Sequence, residues 1–404
     1  MGEAASRRSG AAVREVFAAF LRLGLTSFGG PIAHIAYFRH EFVERRAWLD
    51  EADFAQLLAL CHFLPGPSSS QLGFALGLRR AGWGGALAAF VAFTLPSAFM
   101  LVAFAGVAGY LDSPLGQAAL HGLKLAALAV VAHAVVSMTR QFCTDKSRIL
   151  LAAGASAIVL GLGQAWAQPA VIALGGALGI LLLTPSSGSG HGARIASPHG
   201  ALAGGVFLLA FVALLMASFW LVGERPGLAS VAASFFQAGA LVFGGGHVVL
   251  PLLNEAVVTP GWLAQETFLA GYGAAQAIPG PLFALAAYLG ASMPAEMGGA
   301  TGASVALIAI FLPGFLLLAG VLPFWSALSA RAWVLRGLSG INAAVVGILA
   351  AALYQPLWTG AVANRADIFI VLLGWLMLAR WRVTPLIVVA WCVSAAAGVS
   401  ALAA

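Results

Sequence analysis

Long apolar stretches alternate with short polar connections along most of the chain. A helix needs about 20 mostly apolar residues to cross a bilayer, and nine continuous stretches approach or exceed that length. These predicted spans are 82–110, 114–138, 147–166, 168–184, 200–222, 298–322, 337–355, 366–380 and 384–402. The pattern predicts an all-α polytopic membrane protein.

Two regions, 16–80 and 231–292, do not read as ordinary spans, and they resemble each other. At an offset of 215 positions the matched residues are Phe20, Gly24, Phe28, Gly29 and Gly30 with Phe235, Gly239, Phe243, Gly244 and Gly245. At an offset of 214 they are Trp48, Leu49, Phe54, Pro65, Gly66 and Pro67 with Trp262, Leu263, Phe268, Pro279, Gly280 and Pro281. Tryptophan and the Pro-Gly-Pro triplet are rare, so the chain contains an internal duplication.

The distribution of basic residues predicts how the two copies are oriented. The first copy carries Arg39, Arg45, Arg46, Arg79 and Arg80, whereas no Lys or Arg lies between Arg225 and Arg331. Basic residues favour the cytoplasmic side, so the first copy should face the cytoplasm and the second the outside. Five predicted spans separate the copies, and an odd number also inverts the second. The predicted domains are a first repeat at 1–184, a linker and connecting transmembrane helix at 185–227, and a second, inverted repeat at 228–404.

Each repeat contains two apolar stretches that helix breakers interrupt. In the first repeat the breakers are Phe28-Gly29-Gly30-Pro31 and Pro65-Gly66-Pro67. We interpret both stretches as broken-helix hairpins that enter and leave on one side, with the breakers at their tips. Irregular backbone at membrane depth is tolerated only where it lines a cavity or is buried in protein. Inverted repeats with broken helices are typical of secondary transporters.

Composition and charge exclude several classes of protein. With 61% hydrophobic and 8% charged residues, the chain is far from a soluble domain and its principal partner is the lipid bilayer. The net charge of +6 comes from arginines scattered over short loops, so no nucleic-acid partner is indicated. Cys61, Cys143 and Cys392 are far apart, which favours neither a disulfide framework nor a metal site. No predicted span contains a paired carboxylate, and the sequence has no nucleotide-binding GxxxxGK(S/T) stretch. The chain is therefore not expected to be an enzyme or to need a cofactor.

The second tip of the first repeat has the composition of an anion site. A helix that restarts after Pro67 presents free N–H groups and the positive end of its dipole. Ser68, Ser69, Ser70 and Gln71 would add hydroxyls and an amide. The alternative is that these serines only cap a half-helix. The equivalent tip of the second repeat, Pro279-Gly280-Pro281, is followed by no hydroxyl.

Two cations at predicted membrane depth belong to the first repeat alone. Arg22 matches Gln237, and Lys124 matches Asn342 when Gly122 is aligned with Gly340. Charged groups at depth are costly and functional by default, so two cations with a hydroxyl-lined helix end would balance a doubly charged anion. Alternatively, Arg22 extends to the cytoplasmic interface and Lys124 is structural.

Four further residues are candidates for a proton relay. His34, His62 and His247 lie beside the breakers, and Glu255 is an acid of the second repeat. Histidine titrates near neutral pH, which suits proton transfer. Each histidine is about as consistent with a hydrogen-bonded packing role.

The combination of motifs resembles a known family. Phe20-Leu21-Arg22-Leu23-Gly24, Ser27-Phe28-Gly29-Gly30-Pro31 with His34, and Leu64-Pro65-Gly66-Pro67 with Gln71 are similar to the long, two-domain form of the chromate ion transporters. Phe243-Gly244-Gly245-Gly246 and Ile278-Pro279-Gly280-Pro281 agree in the second half. His62 and His247 depart from the pattern, where Gln and an aromatic residue are expected.

The resemblance implies chromate export across a bacterial inner membrane, with chromate resistance as the phenotype. The site residues that it implies are Arg22, Phe28, Gly29, Gly30, Pro31, His34, Pro65, Gly66, Pro67, Gln71, Gly244, Gly245, Pro279, Gly280 and Pro281. Ser27, which precedes the first breaker, is a further candidate for substrate binding. We therefore expect a secondary transporter of a divalent tetrahedral oxyanion. Sulfate or another oxyanion as substrate, an oxyanion channel, and a membrane scaffold or sensor are the alternatives. A homodimer is compatible with the sequence.

The inverted repeat makes a prediction about the two ends of the chain. Arg7, Arg8 and Arg14 should hold the amino-terminal segment in the cytoplasm, and nine spans then place Ala404 outside. The side on which each end lies can be measured by fusing to it a reporter that is active on only one side of the membrane. Ends on the same side would contradict the inverted arrangement.

Overall fold

The computed structural model describes residues 2–164, 166–184, 199–221 and 226–403, and these ranges contain helices but no strand. The first seven helices are α1 (Gly2–Thr26), α2 (Gly30–Arg39), α3 (Glu51–Phe63), α4 (Ser68–Ala108), α5 (Pro114–Phe142), α6 (Lys146–Leu162) and α7 (Ala167–Leu182). The others are α8 (Ala201–Leu221), α9 (Leu228–Leu241), α10 (Val249–Val257), α11 (Gln265–Ala277), α12 (Leu285–Ala291), α13 (Gly299–Val321), α14 (Trp325–Ser329), α15 (Ala332–Ala352), α16 (Thr359–Ala361), α17 (Arg365–Ala379) and α18 (Pro385–Ala403). Short 3-10 or π-helical turns lie at His40–Arg45, Gly246–Val248, Leu282–Ala284, Leu322–Phe324 and Leu353–Trp358.

The long apolar stretches correctly predicted an all-α polytopic membrane fold. Within the described ranges, six helices are long and apolar enough to cross a membrane, namely α4, α5, α8, α13, α15 and α18. The other three predicted spans correspond to α6, α7 and α17, with 17, 16 and 15 residues. Such helices measure about 22–26 Å at 1.5 Å per residue, which is short of a hydrocarbon core of about 30 Å. Most of the predicted linker, 185–198, lies outside the described residues.

Four helix breaks occur where glycine and proline predicted them. In the first repeat, α1 and α2 meet at 27–29, and α3 and α4 meet at 64–67. In the second repeat, α9 and α10 are joined through 242–248, and α11 and α12 through 278–284. Helix α4 bends again at Gly82, where φ is +62°, and its second part corresponds to the predicted span 82–110. Each repeat therefore contains two helical hairpins followed by longer helices.

The two repeats interlock through α5 and α15. Helix α5 packs against α17 and α18 of the second repeat, and α15 packs against α6 and α7 of the first. Glycines allow the contacts, because a Cβ on Gly122 would lie 2.5 Å from the Val393 Cα and one on Gly340 would lie 2.6 Å from the Gly179 Cα. Gly122 and Gly340 thus occupy equivalent places, which supports the alignment of Lys124 with Asn342.

The hairpin helices α1 and α9 use the same close approach within each repeat. A Cβ on Gly24 would lie 2.8 Å from the carbonyl oxygen of Phe93 in α4, and one on Gly239 would lie 2.1 Å from that of Ile310 in α13. Both partner helices carry an internal proline nearby, Pro96 and Pro313. Since proline donates no N–H to the preceding turn, these helices are locally weakened where the hairpins cross them.

The arginines that predicted a cytoplasmic first repeat are neutralised by neighbouring carboxylates. Arg45 and Arg46 donate to Glu41 at 2.5 and 2.6 Å, and Arg80 donates to Glu15 at 2.8 Å. Burial would raise the pKa of the Glu41 carboxyl, but the bonds from Arg45 and Arg46 outweigh burial and hold that pKa below its ordinary value. Glu15 of α1 is thereby linked to α4 through Arg80, and it also contacts Arg46 at 3.4 Å.

The close approach at Gly239 predicts a stability effect. Replacing Gly239 by Ala should destabilise the protein by about 1–3 kcal/mol, because the new methyl group overlaps the Ile310 carbonyl. Gly106→Ala in α4 is the matched control, since nothing lies within 4 Å of a Cβ there and alanine favours a helix. Thermal unfolding of the purified protein in detergent compares the two. Equal unfolding temperatures would show that α9 and α13 do not need this contact.

Candidate functional site at the crossing of four helix breaks

The four hairpin tips meet in the interior of the protein and bond to each other across the repeats. The N–H of Gly66 donates to the carbonyl of Val242 at 2.7 Å, and the N–H of Gly280 donates to the carbonyl of Ser27 at 3.0 Å. Ser27 and Val242 are equivalent positions, as are Gly66 and Gly280. The two hydrogen bonds are therefore one contact made twice, related by the approximate two-fold symmetry of the repeats.

The six glycines predicted at the tips all have left-handed backbone. Their φ angles lie between +75° and +143°, a region that side chains with a Cβ rarely adopt; they are Gly29, Gly30, Gly66, Gly244, Gly245 and Gly280. Packing adds a second constraint at two of them. A Cβ on Gly66 would lie 3.1 Å from the Gly314 Cα, and one on Gly280 would lie 2.9 Å from the Ser97 Oγ. The flanking Pro65 is half-buried, and Pro67, Pro279 and Pro281 are buried.

His34 joins two tips of the first repeat. It is 1% exposed, and its Nε2 donates to the Ser27 carbonyl at 3.2 Å, the same oxygen that accepts from Gly280. A carbonyl only accepts hydrogen bonds, so this contact places the proton on Nε2 in the neutral ring. The Ser69 hydroxyl then donates to Nδ1 at 3.5 Å. His34 therefore helps to hold the crossing together, and its predicted part in a proton relay stays a prediction.

Hydroxyl groups around the crossing lack partners within the protein. Ser27 Oγ, Ser70 Oγ and Thr94 Oγ1 are buried without a hydrogen-bond partner. Helix α4 begins at Ser68 with Pro67 at its N-cap, and no side chain caps it. The uncapped first turn of α4 and the hydroxyls of Ser27 and Ser70 thus remain available as donors, which is the chemistry expected of an anion site.

Two amide side chains near the tips have different surroundings. The Gln71 Nε2 donates to the carbonyls of Pro65 and Gly314, both at 3.0 Å, so both of its N–H groups are used to position the tip. Asn342 is 8% exposed and its Oδ1 has no partner. This oxygen would lie 3.4 Å from a Cβ on Gly244, which places Asn342 beside a tip of the second repeat.

The two cations of the first repeat differ in exposure. Arg22 is on the exposed side of α1, opposite Phe20 and Gly24, whereas Lys124 in α5 is half-buried. Neither forms an ion pair among the described residues. Gln237, the counterpart of Arg22, is half-buried and its Nε2 has no partner. The role of both cations in anion binding stays a prediction.

The other candidates for a proton relay lie in separate surroundings. The His62 side chain is exposed, the His247 Nδ1 is 2.8 Å from the hydroxyl of Tyr272, and Glu255 lines a cavity at one end of the molecule. In the part of the chain that the structure describes, no hydrogen bond connects these groups to each other or to His34.

The first tip of one repeat also packs against the first tip of the other. A Cβ on Gly246 would lie 2.9 Å from the Pro31 Cγ.

Sequence reasoning missed three residues of the crossing because they lie in predicted full spans. Ser97 on α4 and Gly314 on α13 contact the tips, and Thr94 lies one helical turn before Ser97, with its hydroxyl buried. The Ser97 hydroxyl donates to the Thr94 carbonyl at 2.8 Å. Prolines at the equivalent positions 96 and 313 were the available signal, since a proline inside an apolar helix marks a local break.

Comparison with known proteins identifies the family. The model of a family described as chromate transporter matches residues 14–180 and 229–399, each of which contains two of the hairpins. The chain belongs to the chromate transporter family. It is therefore a membrane transporter by family, not an enzyme. No solved structure matches it.

Individual members of the chromate transporter family are similar over most of their length. A probable chromate transport protein of Synechococcus elongatus is 32% identical, covering 82% of this chain and 81% of its own. The chromate transport protein of Pseudomonas aeruginosa is 29% identical, with 83% and 79% covered. That of Cupriavidus metallidurans is 29% identical, with 84% and 81% covered.

The bonds between tips predict how this chromate transporter family member responds to added methyl groups. Gly66→Ala and Gly280→Ala should each abolish chromate flux in proteoliposomes, because the methyl group displaces Gly314 or Ser97 and separates the repeats. Gly261→Ala is the matched control. Its φ of +76° is also left-handed, so alanine would cost about 1–2 kcal/mol there, but nothing lies within 4 Å of its Cβ. If chromate flux survived in both tip variants, the crossing would not be part of the transport path.

Proposed function

We propose that this protein is a secondary transporter that binds a divalent tetrahedral oxyanion at the crossing of the four tips. Chromate is the substrate that we propose first, exported from a bacterial cytoplasm across the inner membrane and so conferring resistance. The names of three similar proteins support chromate. The absence of a nucleotide-binding motif from the sequence favours transport driven by a gradient.

The unused donors at the crossing are the observation that carries the proposal. An oxyanion accepts hydrogen bonds and donates none, so its site must supply N–H and O–H groups. The hydroxyls of Ser27, Ser70 and Thr94 are buried without partners, and leaving them so is costly. The uncapped start of α4 adds N–H groups and the positive end of a helix dipole. A bound oxyanion would satisfy all of these groups together.

The charge balance of the site depends on Lys124 and Arg22. Asn342, the counterpart of Lys124, lies beside the tip that contains Gly244. By the symmetry of the repeats, we place Lys124 near the first tip of its own repeat. Arg22 is exposed, so its charge would act through a higher dielectric and contribute less.

The arrangement of the repeats suits alternating access. Each cross-repeat hydrogen bond joins a hairpin of one repeat to a hairpin of the other. Rocking one repeat against the other would open the crossing to one side and close it to the opposite side. The interlocked α5 and α15 would act as the axes of this motion.

Flux measurements test the proposed function. Radiolabelled chromate and sulfate are offered separately to proteoliposomes under imposed proton gradients of either direction. Saturable chromate flux that sulfate inhibits would support the proposal, and flux of sulfate alone would favour the second candidate, a sulfate transporter. Flux that never saturates would indicate a channel. Absence of both fluxes from well-folded protein would contradict an oxyanion transporter.

The charge asymmetry predicts unequal effects of removing the two cations. Lys124→Asn copies the residue of the second repeat and should weaken chromate binding about 100-fold, because a buried charge that loses its partner costs about 3–5 kcal/mol. Arg22→Gln should weaken it about 10-fold or less, since solvent screens an exposed charge. Substrate affinity in purified, correctly inserted variants is the measurement.

Two exposed cations provide matched controls for this series. Lys146→Asn and Arg365→Gln make the same chemical changes at exposed positions and should leave affinity unchanged. If both Lys124→Asn and Arg22→Gln kept near-normal affinity for chromate, neither cation would contribute to binding. The start of α4 and the hydroxyl groups would then bind the anion without them.

A further inference from the structure

A second polar cavity lies away from the crossing, at the end of the molecule predicted to face outside. Its volume is about 270 Å³. The end of α6, the start of α7, the end of α10, the start of α11 and the turn at Leu353–Trp358 surround it. The polar side chains that line it are Gln164, Gln168, Asn254, Glu255, Thr259, Gln265 and Gln355.

Glu255 is the one ionisable side chain among the described residues that line this cavity. The other ionisable groups on the surrounding elements do not line it. They are His247 in the turn before α10, Glu266 and Tyr272 on α11, Arg336 on α15, Tyr354 in the π-helical turn, and Lys146 and Arg148 at the far end of α6. The cavity therefore carries a carboxylate that no lining cation neutralises.

Two acceptor atoms in the cavity lack partners. Gln168 is 7% exposed, its Nε2 donates to the Pro251 carbonyl at 3.3 Å, and its Oε1 has no partner. The Glu255 Oε1 is also buried without a partner. Buried acceptors, one of them on a carboxylate, are costly unless a donor or a cation reaches them. The Asn254 Nδ2, a donor on the wall of the same cavity, also has no partner.

At the equivalent positions of the first repeat, the carboxylates are paired with cations of the protein itself. Asn254 and Glu255 match Arg39 and His40 at the offset of 215, and Gln265 matches Glu51 at 214. Arg39 donates to Glu51 at 2.8 Å and to Glu44 at 2.5 Å, and His40 contacts Glu44 at 2.8 Å. The protein supplies its own cations in the first repeat and supplies none in the second.

We infer that the outer cavity binds a monovalent cation, a sodium ion or a proton, on Glu255 with the oxygen of Gln168 as a second acceptor. Carboxylate and amide oxygens are ligands that suit a hard cation. Resting on the proposed transport function, this site would hold the ion whose gradient is coupled to oxyanion movement. The two repeats would then divide the chemistry, with the anion at the crossing and the cation at the outer end of the second repeat.

Thermal unfolding of the full-length purified protein tests cation binding without any oxyanion present. The unfolding temperature is measured as sodium chloride replaces choline chloride at constant ionic strength, and again from pH 5 to pH 8. Bound sodium should raise it by about 2 °C or more for each tenfold rise in concentration above the dissociation constant. A bound proton should instead raise it as the pH falls, with no effect of sodium.

Two variants show whether Glu255 is responsible. Glu255→Gln should lose the response that the wild type shows, whereas Glu296→Gln, the same change at an exposed acid of the second repeat, should retain it. Identical responses of the wild type and Glu255→Gln to both sodium and pH would overturn the inference. Because the assay contains no chromate, its outcome is independent of whether chromate is the substrate.

A measurement on the wild type covers the case in which Glu255→Gln fails to fold. A carbodiimide that labels protonated carboxyls is applied, and mass spectrometry follows the labelling of Glu255. Sodium should protect Glu255 if sodium binds there, and labelling should rise as the pH falls if the proton binds. Labelling that neither sodium nor pH changes would also overturn the inference.

Discussion

Backbone groups at membrane depth have no water to bond, and this constraint organises the protein. Each of the four helix breaks frees N–H and C=O groups that must find partners inside the molecule. The bonds from Gly66 to Val242 and from Gly280 to Ser27 supply two of these partners. Because each bond joins one repeat to the other, neither repeat can satisfy its own tips alone.

The repeats share their backbone geometry but not their polar chemistry. Left-handed glycines occur at equivalent tips in both halves, since a Cβ is excluded there whatever the function. The residues after the second tips differ, with Ser68, Ser69 and Ser70 in one half and Leu282, Phe283 and Ala284 in the other. Side chains beyond the turn do not determine its backbone, so they were free to diverge. That freedom allows one symmetric scaffold to carry two different sites.

Unpartnered polar atoms distinguish those two sites. Near the crossing they include the hydroxyls of Ser27 and Ser70 and the amide oxygens of Gln71 and Asn342. In the outer cavity they are the oxygens of Gln168 and Glu255 and the amide nitrogen of Asn254. Donors complement an oxyanion and acceptors complement a cation. The two proposed sites therefore differ in their central groups, hydroxyls and an uncapped helix start at the crossing and a carboxylate in the outer cavity.

The sequence alone determined the helical membrane fold, the duplication and the positions of the four breaks. These depend on local properties, namely apolar stretches of membrane length and the conformational preferences of glycine and proline, so they can be read without a structure. Which tips meet, the burial of Asn342, the exposure of Arg22, and the contribution of Thr94 and Ser97 were decided only by the tertiary structure. Each of these depends on contact between segments far apart in the chain, and a helix does not encode by itself which of its faces a neighbour will cover.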